Sequence, residues 1–143
     1  MKTHKSVTLK HMETMNMGQK SILIIDDDSR NIFALAAVLK SRGYPVSSAT
    51  NMEDAFNLLN ADKEIGIVLI DMMMPEMDGY EAIPMLKNNG RYKNIPIIAV
   101  TAQAMSGDRE RCLAAGADEY VAKPVDVDKL LTILKPYTWN QTT

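Results

Sequence analysis

The stretch Ile67-Val68-Leu69-Ile70-Asp71, continued by Met72-Met73-Met74-Pro75 and Asp78-Gly79, decides how this chain is read. An apolar run rich in β-branching and without polar alternation predicts a strand buried on both faces, the habit of a parallel sheet covered by helices. In such sheets the working groups stand just past the carboxyl ends of the strands. Asp71 occupies that position. As a helix cap it is poorly placed, because Pro75 and Asp78-Gly79 come before the next helical pattern, so its carboxylate reads as a functional group.

The same signature repeats on both sides. Ile22-Leu23-Ile24-Ile25 is a second buried run, ending on Asp26-Asp27-Asp28. Ile32, Leu35, Ala36 and Leu39 then fall on one helical face, with Asp28 or Ser29 as cap and Gly43 as stop. Tyr44 to Ala49 is a weaker strand, and Pro45 marks it as an edge. Thr50-Asn51-Met52-Glu53 matches a capping box for a helix carrying Met52, Ala55, Phe56 and Leu59. Asp78-Gly79 opens a third helix through Tyr80, Ile83 and Leu86, ended by Asn89-Gly90. Pro84 falls inside it, where it deletes a bond to Tyr80 and can cost about 3 kcal/mol or kink the helix. Ile95 to Val100 is a fourth strand finishing on Thr101, and a polar helix over 106–115 stops at Gly116. Tyr120-Val121-Ala122 is a fifth strand finishing on Lys123-Pro124. Asp126 caps a last helix carrying Val127, Leu130, Leu131 and Leu134. Five strands alternating with five helices predict right-handed βαβ units and a doubly wound parallel sheet.

The 143 residues suit one domain with a real core, expected over 21–136. Residues 1–20 show no period and read as a flexible N-terminal tail, whose His4 and His11 are solvated rather than ligands; 137–143 read as a C-terminal tail. Sixteen basic against eighteen acidic residues, a net charge of −2, leave no basic stripe, so nucleic acid is not an expected partner. No apolar stretch approaches the roughly 20 residues that span a bilayer, and no secretory signal is present. A soluble cytoplasmic protein is expected. Its single cysteine, Cys112, reads as a small helix residue rather than a reactive thiol.

The strand ends form a constellation: Asp26 and Asp27 on the first, Asp71 on the third, Thr101 on the fourth and Lys123 on the fifth. In a parallel sheet these ends share one edge. Carboxylates brought so close repel and raise one another's pKa unless a cation intervenes. Mg²⁺ suits them, since it prefers carboxylate and carbonyl oxygens and keeps some of its water. This equipment fits phosphoryl transfer, in which positioning and neutralisation of spread charge do most of the catalysis. Asp71 would be the nucleophile and become an aspartyl phosphate.

Taken together, Asp26-Asp27, Ile70-Asp71-Met72-Met73-Met74-Pro75-Glu76-Met77-Asp78-Gly79, Thr101-Ala102 and Lys123-Pro124 resemble the receiver domain of two-component response regulators, from about Ser21 to Pro136. The resemblance implies a flavodoxin-like (βα)5 fold with strand order 2-1-3-4-5. It implies that Asp71 is the phosphoacceptor and that Asp27 ligates Mg²⁺ directly, with Asp26 acting through metal-bound water and Met73 lending its backbone carbonyl. It further implies that Thr101 and Tyr120 form a switch pair, that Lys123 binds the phosphate, and that Lys123-Pro124 is cis. The implied partners are a sensor histidine kinase or histidine phosphotransfer protein and a downstream protein of unknown identity, with the chain a monomer or weak dimer. The implied role is a signalling phosphoacceptor rather than an enzyme. Met73 and Gln103 would flank the water that ends the signal.

Two other readings compete. Ile25-Asp26-Asp27-Asp28-Ser29 loosely imitates the nucleophile motif of haloacid-dehalogenase-like phosphatases, but that leaves Asp71 and the segment after it unexplained. A pseudo-receiver that is never phosphorylated would usually lack one of the acids, the threonine or the lysine, and here all are present. A stand-alone regulator and a receiver cut from a hybrid kinase remain equivalent at this level.

Overall fold

A computed structural model describes residues 20–102 and 106–138. The elements run β1 (Ser21–Ile25), α1 (Ser29–Ser41), β2 (Val46–Ala49), α2 (Met52–Ala61), β3 (Ile65–Asp71), α3 (Gly79–Lys87), β4 (Ile97–Thr101), α4 (Asp108–Ala115), β5 (Glu119–Ala122) and α5 (Val127–Thr138). The strands form one parallel sheet in the order β2-β1-β3-β4-β5, the flavodoxin-like order expected.

The apolar runs are explained by their two faces. Leu23, Ile25, Val68, Ile70, Ile97 and Ala99 point to one side, into a core closed by side chains of α2, α3 and α4. Their neighbours Ile22, Ile24, Ile67, Leu69, Ile98 and Val100 point to the other, where Ile32, Ala36 and Leu39 of α1 and Leu130 and Leu134 of α5 cover them. Each residue of these runs is thus buried whichever way it points, so no polar alternation appears in them. β3 lies at the centre of the sheet and β2 at its edge, where Pro45 accepts from the Ile22 N–H at 2.9 Å.

Local chemistry sets the helix ends, with three departures from the sequence expectation. Asp28 caps α1 by accepting the Arg30 N–H at 2.9 Å, and Gly43 follows that helix at φ 92°. α2 is capped by Asn51, whose Oδ1 accepts the Asp54 N–H at 2.8 Å, so the cap sits one residue after Thr50 and Glu53 is not its partner. Asp78 and Glu81 form the reciprocal capping box of α3. That helix runs through Pro84 and ends at Lys87, two residues before Asn89, with the Asn88 N–H returning to the Pro84 carbonyl at 2.9 Å. α4 starts at Asp108 rather than Ser106, because Gly107 adopts φ 95° and breaks the helical path. Asp126 accepts the Lys129 N–H at 3.2 Å at the start of α5.

Gly79 has a packing reason. A β-carbon there would stand 2.2 Å from Met72 Sδ and 3.0 Å from Met72 Cα, so only glycine lets α3 start against the end of β3. Met72 and Met74 are buried under this loop, while Met73 is exposed. No helix among the described residues is long and apolar enough to cross a membrane.

Candidate functional site

Parallel pairing sets the ends of β1, β3 and β4 side by side, with Ile25 opposite Ile70 and Asp71 opposite Val100. At these strand ends the carboxylates of Asp26, Asp27 and Asp71 converge, each with an oxygen within 4.8 Å of the others. Asp26 and Asp71 are buried, and Asp27 is exposed.

Each buried carboxylate is held at both oxygens. Asp26 Oδ1 accepts the Asp28 N–H at 2.9 Å, and Asp26 Oδ2 accepts from Lys123 Nζ at 3.4 Å. Asp71 Oδ1 accepts the Met73 N–H at 3.0 Å, and its Oδ2 stands 3.4 Å from Lys123 Nζ. Lys123 reaches them from β5. Its own N–H donates to the Thr101 carbonyl at 2.8 Å, and the Lys123–Pro124 peptide bond is cis.

The electrostatics follow from crowding. Burial raises the Asp26 carboxyl above the ordinary carboxylate range; the Asp28 N–H works against this and the charge of Asp71 adds to it. Burial alone would lower the Lys123 ammonium, but Asp26 and Asp71 together lift it above the ordinary lysine value. Lys123 therefore stays protonated as a fixed counter-charge between two acids. Three acids around one ammonium still leave negative charge to be met, and hard carboxylate oxygens at this spacing suit a small divalent cation such as Mg²⁺.

Thr101, at the end of β4, is 1 % exposed, and Tyr120 is half-buried against the core beneath α3 and α4. Arg111 lies over the Tyr80 ring at 4.6 Å, and the Tyr80 hydroxyl and the Cys112 thiol lie 3.8 Å apart, tying α4 to α3. Cys112 is wholly buried, and burial pushes its thiol upward, as expected of a structural thiol.

Two features escaped the sequence. Glu76 adopts φ 66° while the Met77 N–H closes on the Pro75 carbonyl at 2.7 Å, a tight turn that no side-chain pattern announces. A cavity of about 560 Å³ also opens onto the site, with Asp26, Asp71 and Lys123 among its lining and further walls from α1 and the β5–α5 connection. The apolar length of α1 was the available signal for it. His4, His11 and Gln103 lie outside the described residues, as does most of each terminal segment.

Comparison with known proteins agrees with this geometry. Residues 22–135 match the family model of the response regulator receiver domain. The polar-differentiation response regulator DivK of Brucella anthropi is 32% identical over 118 residues, covering 82% of this chain and 95% of that protein. Among solved structures, the receiver domain of a sensor histidine kinase from Pseudomonas aeruginosa is 33% identical, with a TM-score of 0.75 over 84% of this chain and 98% of its own. That structure holds a magnesium ion coordinated in its active-site cleft. A response regulator receiver protein from Pseudomonas putida is 29% identical, with a TM-score of 0.76 over 82% of this chain and 97% of its own.

Proposed function

The chain belongs to the response regulator receiver family, and from that membership we propose that Asp71 accepts a phosphoryl group from the phosphohistidine of a sensor kinase or histidine phosphotransfer protein. The observation that carries the reading is the Lys123 ammonium held 3.4 Å from both Asp26 Oδ2 and Asp71 Oδ2. It presents a fixed cation beside a buried nucleophile at the edge of the sheet. An Asp71 oxygen forms the new bond to phosphorus as the bond to the donor imidazole nitrogen breaks, and the electron pair leaves with that nitrogen. Lys123 meets charge on the phosphoryl oxygens, and the Thr101 hydroxyl donates to one of them.

Asp26, Asp27, Asp71 and the Met73 carbonyl would hold Mg²⁺, which when bound offsets carboxylate repulsion and neutralises phosphoryl charge. Thr101 and Tyr120 would couple the phosphorylated state to the surface of α4, β5 and α5, where a downstream protein reads it. The receiver unit spans 21–136 and works in the cytoplasm as a signalling phosphoacceptor, without turnover of external phosphate esters.

The test is intact mass after treatment with acetyl phosphate and Mg²⁺. One added phosphoryl group is expected, lost in Asp71→Asn and on chelation. Full labelling of Asp71→Asn would overturn the assignment.

A further inference from the structure

The amino end of the sheet, opposite the carboxylate cluster, carries a second cavity of about 380 Å³. It forms where Lys20 enters β1, where Ile65 and Gly66 begin β3, and where Pro96 leads into β4. In a parallel sheet the working groups stand at the carboxyl ends, so phosphoryl transfer leaves this cavity without a role. Its charge is the reverse of that around Asp71. Lys20, Lys63 and Arg91 line it against Asp62 alone, in a chain whose net charge is −2. Asp62 Oδ1 is already engaged, accepting the Glu64 N–H at 2.8 Å. Among the described residues no carboxylate forms an ion pair with any of the three cations.

Two of these cations are held in place. Arg91 Nη1 donates to Asn60 Oδ1 at 3.0 Å, and the Tyr92 hydroxyl donates to the same oxygen. Lys20 lies across Gly66, where a β-carbon would stand 2.2 Å from its Cβ and 2.5 Å from its Cγ. Glycine at 66 therefore makes room for the lysine stem. We propose that this cavity binds a nucleoside monophosphate, its phosphate on Arg91, Lys63 and Lys20 and its base against Tyr137 and Pro96. Three cations less one acid leave two positive charges, which match the dianion of a phosphomonoester, and the guanidinium fork suits its oxygens. The aromatic and apolar wall favours a base over a bare hydroxylated sugar, and Asn94 offers an amide to the base edge. The volume lies at the low end of small-ligand sites, room for one nucleotide and too little for a longer chain.

The experiment titrates the full chain with adenosine monophosphate, guanosine monophosphate, adenosine and inorganic phosphate, following amide resonances. A chelator is present, so that no divalent ion draws phosphate to the acids at the other edge. The amides of Gly66, Arg91 and Asn94 should shift with at least one nucleotide. Its half-saturating concentration should be roughly tenfold below those of adenosine and inorganic phosphate. Arg91→Gln should raise that concentration by about tenfold while the urea midpoint shows the fold intact. Lys63→Gln, at an exposed position, repeats the test should Arg91→Gln not fold.

Half-saturation by inorganic phosphate at the concentration the nucleotides need would overturn the base contact, and with it the nucleotide assignment. Equal titration by adenosine would overturn the role of the cations. No shift at millimolar nucleotide, shifts centred on Asp26, Asp71 and Lys123, or an affinity that survives both glutamines would overturn the site. Each outcome stands apart from the phosphoacceptor reading, which is decided by labelling of Asp71 at the opposite edge of the sheet.

Discussion

Lys123 Nζ donates to Asp26 Oδ2 at 3.4 Å across 97 residues of sequence, and the same ammonium stands 3.4 Å from Asp71 Oδ2. One cation thus serves two buried acids, and the balance of charge at the edge of the sheet depends on it.

Lys123→Ala should separate ion binding from transfer. With the ammonium gone, the carboxylates attract a divalent cation at least as strongly, while the phosphoryl oxygens lose a counter-charge. Mg²⁺ affinity should be unchanged or higher, and phosphorylation by acetyl phosphate slower by about one to two orders of magnitude. Titration with Mg²⁺ and the rate of mass gain, measured on the same preparation, check both halves. Weaker Mg²⁺ binding would show that Lys123 organises the acids rather than meeting the phosphate.

Asp26→Asn should stabilise the protein when divalent ions are absent, by about 1 kcal/mol. Burial and the neighbouring Asp71 charge both work against ionised Asp26 in the folded state, and the amide removes that conflict. Urea midpoints in chelator and in millimolar Mg²⁺ provide the check. The advantage should shrink or reverse with Mg²⁺, since the variant gives up a carboxylate.

Gly79→Ala should cost about 1–3 kcal/mol, because the new methyl meets Met72 Sδ at 2.2 Å and Met72 Cα at 3.0 Å. The sulfur can move and the backbone cannot. A urea midpoint unchanged from wild type would mean that the start of α3 yields without cost.

Cys112 should resist thiol reagents in the native state, being wholly buried with its thiol pushed upward by desolvation. Modification by a chromogenic disulfide at pH 8 should be slow and accelerate steeply through the urea transition. Fast native labelling would place α4 in an opened state far more often than this packing allows.

The lifetime of the phosphorylated form should be set in part by Met73. Its N–H is engaged with Asp71 Oδ1 at 3.0 Å, and its side chain is exposed beside the site, apolar and unable to align water. Met73→Asn should therefore shorten the decay of phosphorylated Asp71 after donor removal. Equal decay in the two proteins would show that the side chain at 73 plays no part.

Much of this molecule was legible from order alone. Runs such as Ile22–Ile25 and Ile67–Ile70 are apolar because both faces of the sheet are covered, and that condition leaves its mark residue by residue. Asp26, Asp71, Thr101 and Lys123 each follow such a run, so their meeting at one edge follows once the strands are parallel. Asp28, Asp78 and Asp126 cap their helices through contacts two or three residues away, within reach of a local reading.

Other features required the tertiary structure. Local pattern could not choose Asn51 over Thr50, because the choice turns on which backbone is extended where α2 meets the sheet. The need for glycine at 79 arises from Met72 packing against the start of α3, and the turn at Glu76 lies in the same connection between β3 and α3. The groove beside the site exists only because residues of α1 and of the β5–α5 connection come together around it. Periodicity records which way a residue faces within its own element, whereas distances between elements depend on packing among residues far apart in the chain. The sequence by itself therefore determined the sheet and the residues at its edge, and the packing of the helices decided how Lys123 is shared and what stands open next to it.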